Sequence, residues 1–432
     1  MTEEKKIMVT FLTAVFIFIN LVLPSVYSGE SETEPLSSPG RIWPYWVKTW
    51  GSSGDEVATA VDADGGYIYV TGYTGEGIAF LLKYDEKGKL VWEKTWSGEG
   101  TAEASEVVVA NGNIYVVGTT ENGGNSDIFI SKYDSEGNLL WYKTWGGSSD
   151  DMAGGIAAYG NNIYVCGLTK SFGALGGDAF LLKYDADGNF IWQKLWGKSG
   201  NEKGNDVVAT TDGIYIAGYT TSYGVGGKDV ALLKYDLDGN KLWAKTWGGD
   251  DDDIAAGVDY SQGSAYVTGY TASYSPHALI LKYDPNGNML FERRWGEEEN
   301  DEAMSIRVYG DAVYTVGKTG DDAFLLKYSL DGTLAWAKAW GGRNEEVAYD
   351  IDVDNNLIYI VGYTTSYGEG GKDAFILKCN LQGRKSFSIS NTENSFIKIS
   401  DEKLLIWGRE ILPLSFQKEN EQKENEAAPL IQ

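Results

Sequence analysis

The chain has 432 residues, of which 43% are hydrophobic and 13% aromatic, and this apolar content excludes a globally disordered protein. Its 62 acidic residues outnumber its 36 Lys and Arg, and the net charge of −26 argues against binding to nucleic-acid phosphates. The 55 Gly and only 8 Pro are typical of a chain with many tight hairpins.

The first 28 residues have the layout of a secretory signal peptide. A charged start is followed by an uncharged apolar run over residues 7–23 and by small residues before Gly29. The alternative is an uncleaved signal anchor, which would be the protein's one membrane attachment. A polar linker is predicted over residues 29–40. These features predict a protein that is secreted or held at the cell surface.

A Trp-Gly or Trp-Ser step recurs seven times, at intervals of about 45–51 residues, which is the length of a four-stranded propeller blade. Each unit also repeats a Tyr in its second strand and a Lys in its third. We therefore predict an all-β, seven-bladed β-propeller over residues 41–390. The repeated Trp residues are Trp50, Trp96, Trp145, Trp196, Trp247, Trp295 and Trp340.

The unit that ends at Trp196 illustrates one blade. Its first strand opens at residue 150, and the next three strands are predicted over residues 163–167, 178–184 and 190–196. The turn Asp185-Ala186-Asp187-Gly188-Asn189 resembles the start of a calcium-binding EF-hand loop, but the later ligands are missing and strands flank it. It is predicted to be a hairpin turn with a glycine.

The seventh unit never reaches a final Trp-x-Lys-x-Trp strand. The missing sequence occurs before the first unit, as Trp46-Val47-Lys48-Thr49-Trp50. We therefore predict that this N-terminal strand completes the last blade and closes the ring, which removes two exposed sheet faces. Residues 391–416 are predicted to be a C-terminal extension with a hairpin, and residues 417–432 a disordered tail.

The third strand Asp178-Ala179-Phe180-Leu181-Leu182-Lys183 and the loop Thr221-Ser222-Tyr223-Gly224 resemble the SBBP family of seven-bladed propeller repeats. The resemblance covers about residues 41–390. It implies a secreted or cell-surface protein of the kind found in bacteria and archaea, usually without an assigned reaction. The Trp-rich fourth strand is also similar to the repeats of quinoprotein dehydrogenases and of outer-membrane assembly lipoproteins.

An acid opens the first strand of every unit. Because first strands line the channel of a propeller, seven carboxylates at one mouth are candidate calcium ligands. The alternative is structural, with each acid accepting hydrogen bonds from backbone N–H groups of its own loop. The seven acids are Asp55, Glu103, Asp150, Glu202, Asp252, Asp301 and Glu345.

A second acidic group is Asp250, Asp251 and Asp253, in the loop that enters the fifth unit. Clustered carboxylates repel one another unless a cation or solvent relieves the repulsion. This loop is therefore a candidate cation site, with a solvated acidic loop as the alternative. Calcium is the single cofactor candidate.

Enzymatic chemistry has little support in the sequence. The chain has one His, His277, and its two cysteines occupy core positions of the repeat, which argues against Ser–His and Cys–His nucleophilic sites. We predict a non-catalytic binding or scaffolding module for a protein or cell-envelope partner. The alternatives are a secreted carbohydrate-active enzyme that uses axial carboxylates, with or without calcium, and an envelope protein-assembly factor.

Overall fold

The computed structural model describes residues 39–98, 100–121, 123–275, 277–296 and 301–384, and the backbone alone of 389–392 and 395–399. The chain divides into two units, Met1–Ser38 and Pro39–Gln432. The predicted signal segment, the linker up to residue 38 and the tail lie outside the described residues. Every regular element in the described ranges is a strand. Among these residues there is no helix that is long and apolar enough to cross a membrane.

Seven sheets of the described chain follow one another around a closed ring, which confirms the predicted seven-bladed propeller. Within each blade the strands pair antiparallel, and the first strands of successive blades contact one another around the whole ring. The chain enters through β1 (Gly40–Arg41) and β2 (Trp46–Trp50). Blade 1 then comprises β3 (Glu56–Asp64), β4 (Tyr67–Thr74), β5 (Ala79–Asp85) and β6 (Leu90–Trp96).

The other blades repeat this order. Blade 2 comprises β7 (Ala102–Ala110), β8 (Asn113–Glu121), β9 (Ser126–Tyr133) and β10 (Leu139–Trp145). Blade 3 comprises β11 (Asp151–Tyr159), β12 (Asn162–Thr169), β13 (Asp178–Asp185) and β14 (Phe190–Trp196). Blade 4 comprises β15 (Glu202–Thr210), β16 (Gly213–Thr220), β17 (Asp229–Tyr235) and β18 (Lys241–Trp247).

Blade 5 comprises β19 (Asp253–Ser261), β20 (Ser264–Thr271), β21 (Ala278–Tyr283) and β22 (Met289–Trp295). Blade 6 comprises β23 (Glu302–Tyr309), β24 (Ala312–Thr319), β25 (Asp322–Ser329) and β26 (Leu334–Trp340). Blade 7 comprises β27 (Glu346–Asp354), β28 (Leu357–Thr364) and β29 (Asp373–Asn380), completed by β2. After the ring, β30 (Ile389–Thr392) and β31 (Ser395–Ile399) pair antiparallel as a hairpin.

The N-terminal strand closes the ring as the sequence predicts. β2 pairs antiparallel with β29, from Trp46 opposite Lys378 to Trp50 opposite Ala374. A further strand was not predicted: β1 runs parallel to β26, with Gly40 opposite Lys338, and becomes a fifth strand of blade 6. This short strand covers the outer edge of one blade.

The third and fourth strands of each blade differ in burial because they face different surroundings. In β5 every residue from Ala79 to Tyr84 is buried, as expected for a strand covered on both faces by neighbouring blades. In β6 the side chains alternate, so that Val91 and Glu93 are exposed while Trp92 is half-buried. The repeated Trp of the fourth strand therefore packs between blades.

The repeated Lys of the third strand and the repeated Tyr of the second strand form one contact in every blade. Each Lys Nζ lies between 4.9 and 5.4 Å from the centre of its Tyr ring. In the described chain, six of these lysines also donate to a hairpin carbonyl of the next blade, at 2.7–3.0 Å. The Tyr ring and the carbonyl oxygen together provide partners for the buried ammonium, and the hydrogen bond joins one blade to the next.

The hairpin between the third and fourth strands packs on the fourth-strand Trp of the preceding blade. Gly239 has a φ of +81°, and a β-carbon there would lie 2.5 Å from Lys194 Cε and 3.0 Å from Trp192 Cζ2. Beside it, Asp236 Oδ1 accepts the backbone N–H groups of Asp238 and Asn240. The turns that resemble EF-hand loops are therefore hairpins, as predicted.

Gly239→Ala tests how much of this contact depends on the missing side chain. We expect the free energy of unfolding to fall by about 1–3 kcal/mol more than in Gly160→Ala, because overpacking adds to the cost of a positive φ. Gly160 is the matched control, since it has a φ of +61° but no atom within 4 Å of an added β-carbon. Equal losses in urea unfolding of the two variants would contradict the argument.

Candidate functional site

The two ends of the ring differ. Because strands alternate in direction, the loops after second strands and the connections between blades lie at one end, which we call the loop face. The hairpins after first and third strands lie at the other end, the hairpin face. The loops after second strands are long in blades 3, 4 and 7. The loop is short in blade 1, where Gly75–Ile78 alone connect β4 to β5.

A buried acid opens the first strand at the loop face in six of the seven blades. Glu202 is the clearest case, being 0% exposed. Its Oε2 accepts the Lys198 N–H at 3.0 Å, and its Oε1 accepts the Thr220 hydroxyl at 2.9 Å and the Ser222 N–H at 3.1 Å. The carboxylate therefore holds its own loops together. The equivalent acids are Glu56, Asp151, Asp253, Asp301 and Glu346.

At five blade junctions this acid faces a second carboxylate from the preceding blade, at the start of the third strand. A β-carbon on Gly248, for example, would lie 2.5 Å from Asp229 Oδ1 and 2.6 Å from Asp253 Oδ2. Burial, and then repulsion from Asp253, raise the pKa of Asp229 above its ordinary value. The Gly of the Trp-Gly step is therefore the residue that leaves room for two opposed carboxylates. The second carboxylates are Asp127, Asp178, Asp229, Asp322 and Asp373.

The junction between blades 1 and 2 departs from this pattern at all three positions. Ile78 replaces the third-strand Asp, Ala102 replaces the first-strand acid, and Ser97 replaces the glycine. At the junction of blades 5 and 6, the two acidic positions hold His277 and Asp301. The glycine is thus lost where both carboxylates are lost, which indicates that the three positions act as one structural unit.

The structure places the seven predicted acids in different surroundings. Glu202 and Asp301 are the buried acids of blades 4 and 6. Four others come one residue before the buried acid, and Glu103 comes one residue after Ala102. Successive side chains of a strand point to opposite faces, so this offset of one residue changes the contacts. The four displaced acids are Asp55, Asp150, Asp252 and Glu345.

The displaced acids contact neighbouring elements at the loop face. Asp55 Oδ1 accepts the Lys372 N–H at 2.9 Å, which joins blades 1 and 7. Asp252 accepts the Lys228 N–H at 2.9 Å and pairs with its ammonium at 3.2 Å. Asp150 pairs with Lys170 at 3.1 Å, and Glu345 accepts the Tyr363 hydroxyl at 2.7 Å. The seven acids therefore do not converge on one mouth, and of them Glu103 is the one that lines the described channel cavity.

The acids of the loop before blade 5 also differ in burial. Asp250 and Asp251 are exposed, whereas Asp253 is buried and its Oδ2 accepts the Gly249 N–H at 2.7 Å and the Ser273 hydroxyl at 2.8 Å. Among the described residues, no three His, Cys, Asp or Glu side chains are grouped so that they could hold a metal ion. Calcium binding at these acids stays a prediction.

The central channel contains a second set of carboxylates that the sequence analysis missed. Each first strand has a register shift near its middle, such as that between Gly204 and Asp206, and the residues that follow it line a cavity of about 420 Å³. Asp206 Oδ2 accepts the Val258 N–H at 2.8 Å, and Asp259 Oδ2 accepts the Val308 N–H at 2.7 Å, so each joins two blades. These channel carboxylates are Asp62, Glu106, Asp206, Asp259, Asp350 and Asp352.

One arginine stands among the channel carboxylates. Arg307 Nε donates to Asp352 Oδ1 at 3.1 Å. Burial, and next the Asp352 carboxylate, raise the pKa of Asp62 to about 8, and burial raises the pKa of Asp206 to about 7. The sequence signal was available, since these residues come seven or nine positions before the second-strand Tyr, where the other units carry small or apolar residues apart from Arg307 itself.

The loop face also exposes apolar side chains. Leu175 is 85% exposed and Val225 is 60% exposed, in the corresponding loops of the adjacent blades 3 and 4. Tyr274 is exposed in the loop of blade 5. At the channel mouth, Tyr73 and Tyr363 pack with valines of blades 1 and 7. Exposed apolar groups on rigid loops are typical of a binding surface.

Residues 40–213 match the family model described as outer membrane protein assembly factor BamB. The match covers less than half of the chain, and it supports the predicted similarity to outer-membrane assembly lipoproteins. The resemblance to SBBP repeats is not confirmed by it and stays a prediction. No curated protein matches the chain.

Solved structures with a similar backbone are propellers of distant sequence. The WD40 β-propeller domain of Doa1 superposes with a TM-score of 0.52 at 12% identity, over 81% of this chain and 100% of that chain. The polysaccharide lyase Uly1 gives a TM-score of 0.48 at 12% identity, over 75% and 90%. Sqt1 of Chaetomium thermophilum, bound to the N-terminus of ribosomal protein L10, gives 0.48 at 11% identity, over 74% and 83%. At such identities the similarity shows the fold alone.

Asp229→Asn tests the opposed carboxylates. The raised pKa of Asp229 means that stability is fully present below the unfolded pKa of about 4 and is lost as pH rises through the higher folded value. The amide keeps an oxygen for the Val225 N–H and removes the repulsion from Asp253. We expect the thermal midpoint to rise by about 1–3 °C at pH 8 and to be unchanged at pH 4.

The control for this substitution is Asp236→Asn in the same blade. Hydrogen bonds from Asn240 lower the pKa of Asp236, so neutralising this exposed acid should not raise the midpoint at pH 8. An equal rise in both variants would attribute the effect to net charge and would contradict the paired arrangement.

The channel carboxylates predict that the wild-type protein is less stable at pH 9 than at pH 5. Asp62 and Asp206, with folded pKa values of about 8 and 7, bind more protons in the folded state than in the unfolded state across this interval. The stability they contribute is full below about pH 4 and is lost as pH rises through 7 and 8.

Thermal unfolding at fixed ionic strength measures this decline, and Asp62→Asn should flatten it. Asp284→Asn is the control, because hydrogen bonds from Asn288 lower the pKa of that exposed acid. A midpoint that stays constant or rises from pH 5 to pH 9 would show that other groups govern the pH dependence.

Proposed function

We propose that the protein is a non-catalytic binding or scaffolding module of the cell envelope, secreted or held at the cell surface, that contacts a protein or envelope partner through its loop face. The observation that carries the proposal is the match of residues 40–213 to the BamB assembly-factor model. The alternative of an envelope protein-assembly factor is the same module with membrane proteins as its partners.

The arrangement of the ring supports this function. The Lys–Tyr contacts and their hydrogen bonds to the next blade join the blades, so the loops project from a rigid scaffold. Rigid loops lose little conformational entropy when they bind a partner. Leu175 and Val225 lie on adjacent blades and supply apolar area of the kind that forms the centre of a protein interface.

The carbohydrate-active enzyme of the sequence analysis stays a prediction. Its axial carboxylates were the seven acids predicted at the rim; the carboxylates found in the channel are a different set, and these accept backbone N–H groups of neighbouring blades. Their contacts are thus accounted for by closure of the ring. Turnover of a polysaccharide that is abolished by changing one channel carboxylate would overturn the scaffold proposal.

Photo-crosslinking in the producing cells tests the loop face. A photoreactive residue placed at Leu175 or at Val225 is expected to capture a partner, whereas the same residue at Asp187, which is exposed on the hairpin face, is not. Recovery of membrane proteins in the adducts would favour the assembly-factor alternative. Adducts formed from Asp187 alone would contradict the proposed surface.

The paired substitution Leu175→Ser and Val225→Ser should then reduce recovery of that partner about tenfold or more, as for two apolar residues at the centre of an interface. The thermal midpoint should not change, because both side chains are exposed. The control is Leu140→Ser with Leu242→Ser, two exposed leucines on outer strands away from the loop face. Equal losses in both pairs would reject the loop face as the binding surface.

A further inference from the structure

Three of the seven repeated Trp residues lack a cover that the other four have, because no aromatic residue stands in the loop beside Trp50, Trp96 or Trp295. Trp145 packs on Phe180 of the next blade at 4.8 Å and is covered by the loop residue Phe172 at 5.0 Å, between ring centres. Trp340 has the same two contacts, with Phe375 at 4.7 Å and Tyr367 at 5.5 Å. At these two junctions the Trp contacts one ring from the next blade's third strand and one from its loop, and a loop ring also covers Trp196 and Trp247.

Trp50 has the first contact and not the second. Its ring centre lies 4.5 Å from that of Phe80. The loop of blade 1 that would cover it is Gly75-Glu76-Gly77-Ile78, which contains no aromatic residue. In place of the covering ring there is a cleft of about 670 Å³, lined by Trp50, Ser52, Asp55, Thr74, Glu76 and Glu93. We call this the Trp50 cleft.

The charged residues that line the Trp50 cleft are all acidic. Asp55, Glu56, Glu76 and Glu93 line it, and Glu56 among them is buried. Glu93 accepts the indole N–H of Trp50 at 3.1 Å and so fixes the orientation of the ring. A flat indole face beside carboxylates attracts a cation twice, through the ring quadrupole and through Coulomb attraction.

Corresponding junctions of the same chain show cations on this kind of platform. In blade 4 the loop ring Tyr223 stacks on Trp196, and Lys198 Nζ lies 4.3 Å from the centre of Tyr223. In blade 5 the guanidinium of Arg294 lies 5.4 Å from the centre of Tyr274, which contacts Trp247. At the Trp50 cleft the position of Lys198 is taken by Ser52, and no Lys or Arg is among the described residues that line the cleft.

We propose that the Trp50 cleft binds a lysine or arginine side chain from a basic segment of a partner protein. The assignment rests on the proposed function, since it takes the partner to be a protein, and it adds the chemistry of the segment that is recognised. A net charge of −26 also favours the approach of a basic partner. A cleft of this volume accommodates a side chain together with the backbone that carries it.

The test is an NMR titration of the full chain with three short peptides, acetyl-Gly-Gly-Arg-Gly-Gly-amide and its Lys and Glu counterparts. The probe signal is the indole N–H of Trp50, assigned by its absence in Trp50→Leu. The Arg and Lys peptides should shift this signal saturably and less strongly at high salt, and the Glu peptide should leave it unchanged. A signal that none of the peptides moves, or that the Glu peptide moves equally, would overturn the proposal.

Matched variants separate recognition in the cleft from general charge. Glu93→Gln and Glu76→Gln should each weaken binding of the Arg peptide about threefold to fivefold, as for a partly exposed ion pair. Glu292→Gln is the control, because Glu292 accepts the indole N–H of Trp247 at 3.2 Å in the same way, at a junction that Tyr274 covers. Equal weakening by Glu292→Gln would also overturn the proposal.

Different results would reject the Trp50 cleft and the loop-face contact. If the peptides do not bind while crosslinks from Leu175 persist, the cleft assignment falls and the loop-face partner remains. If the peptides bind and no crosslink forms from Leu175 or Val225, the cleft stands and the proposed loop-face contact falls.

Discussion

The contact between one blade and the next is the constraint on which the whole structure depends. A single four-stranded sheet has two apolar faces and cannot bury either without a neighbour. The repeated Lys shows how this contact becomes specific. Lys132 lies over Tyr115 and donates to the carbonyl of Ala186 in the next blade, and that carbonyl also accepts the indole N–H of Trp141. A buried ammonium is costly unless it finds such partners, so the blades dock in one register.

This dependence explains why the most regular residues of the chain are structural. The Trp, Tyr, Lys and hairpin Gly of each unit all contribute to the same junction, and a change at one of them alters two blades. Residues that recognise a partner must therefore occupy positions that the junction does not use, or flank a junction residue that is left partly uncovered, as at Trp50. In the described chain those positions are the channel side of the first strands, the loops after the second strands and the outer edges of the fourth strands.

The repeat made the fold predictable from the sequence. The candidate site could be predicted only in part. Seven copies of one unit determined the blade number, the strand order and the closure by residues 46–50, because a period of this length with four strand patterns in each unit is typical of a propeller blade. The buried acids of the first strands were harder to predict, because aligning Asp55 instead of Glu56 moves the predicted side chain to the other face of its strand. The channel carboxylates were missed because they break the repeat, and a search for recurring residues passes over them. β1 was missed because two residues carry no strand pattern of their own.

Departures from the repeat are therefore the informative feature of this chain, and they concentrate at blade 1. Its loop after β4 lacks the aromatic residue that covers the equivalent Trp in blades 3, 4, 5 and 7, and its junction with blade 2 has Ile78, Ser97 and Ala102 in place of the carboxylates and the glycine. The second departure is compensated internally, because three positions changed together and leave a packed junction. The first is not, since the space opposite Trp50 remains a cleft. A departure that leaves an open cleft beside a repeated Trp suits a binding site on a repeat protein, because recognition has to distinguish one blade from six that resemble it.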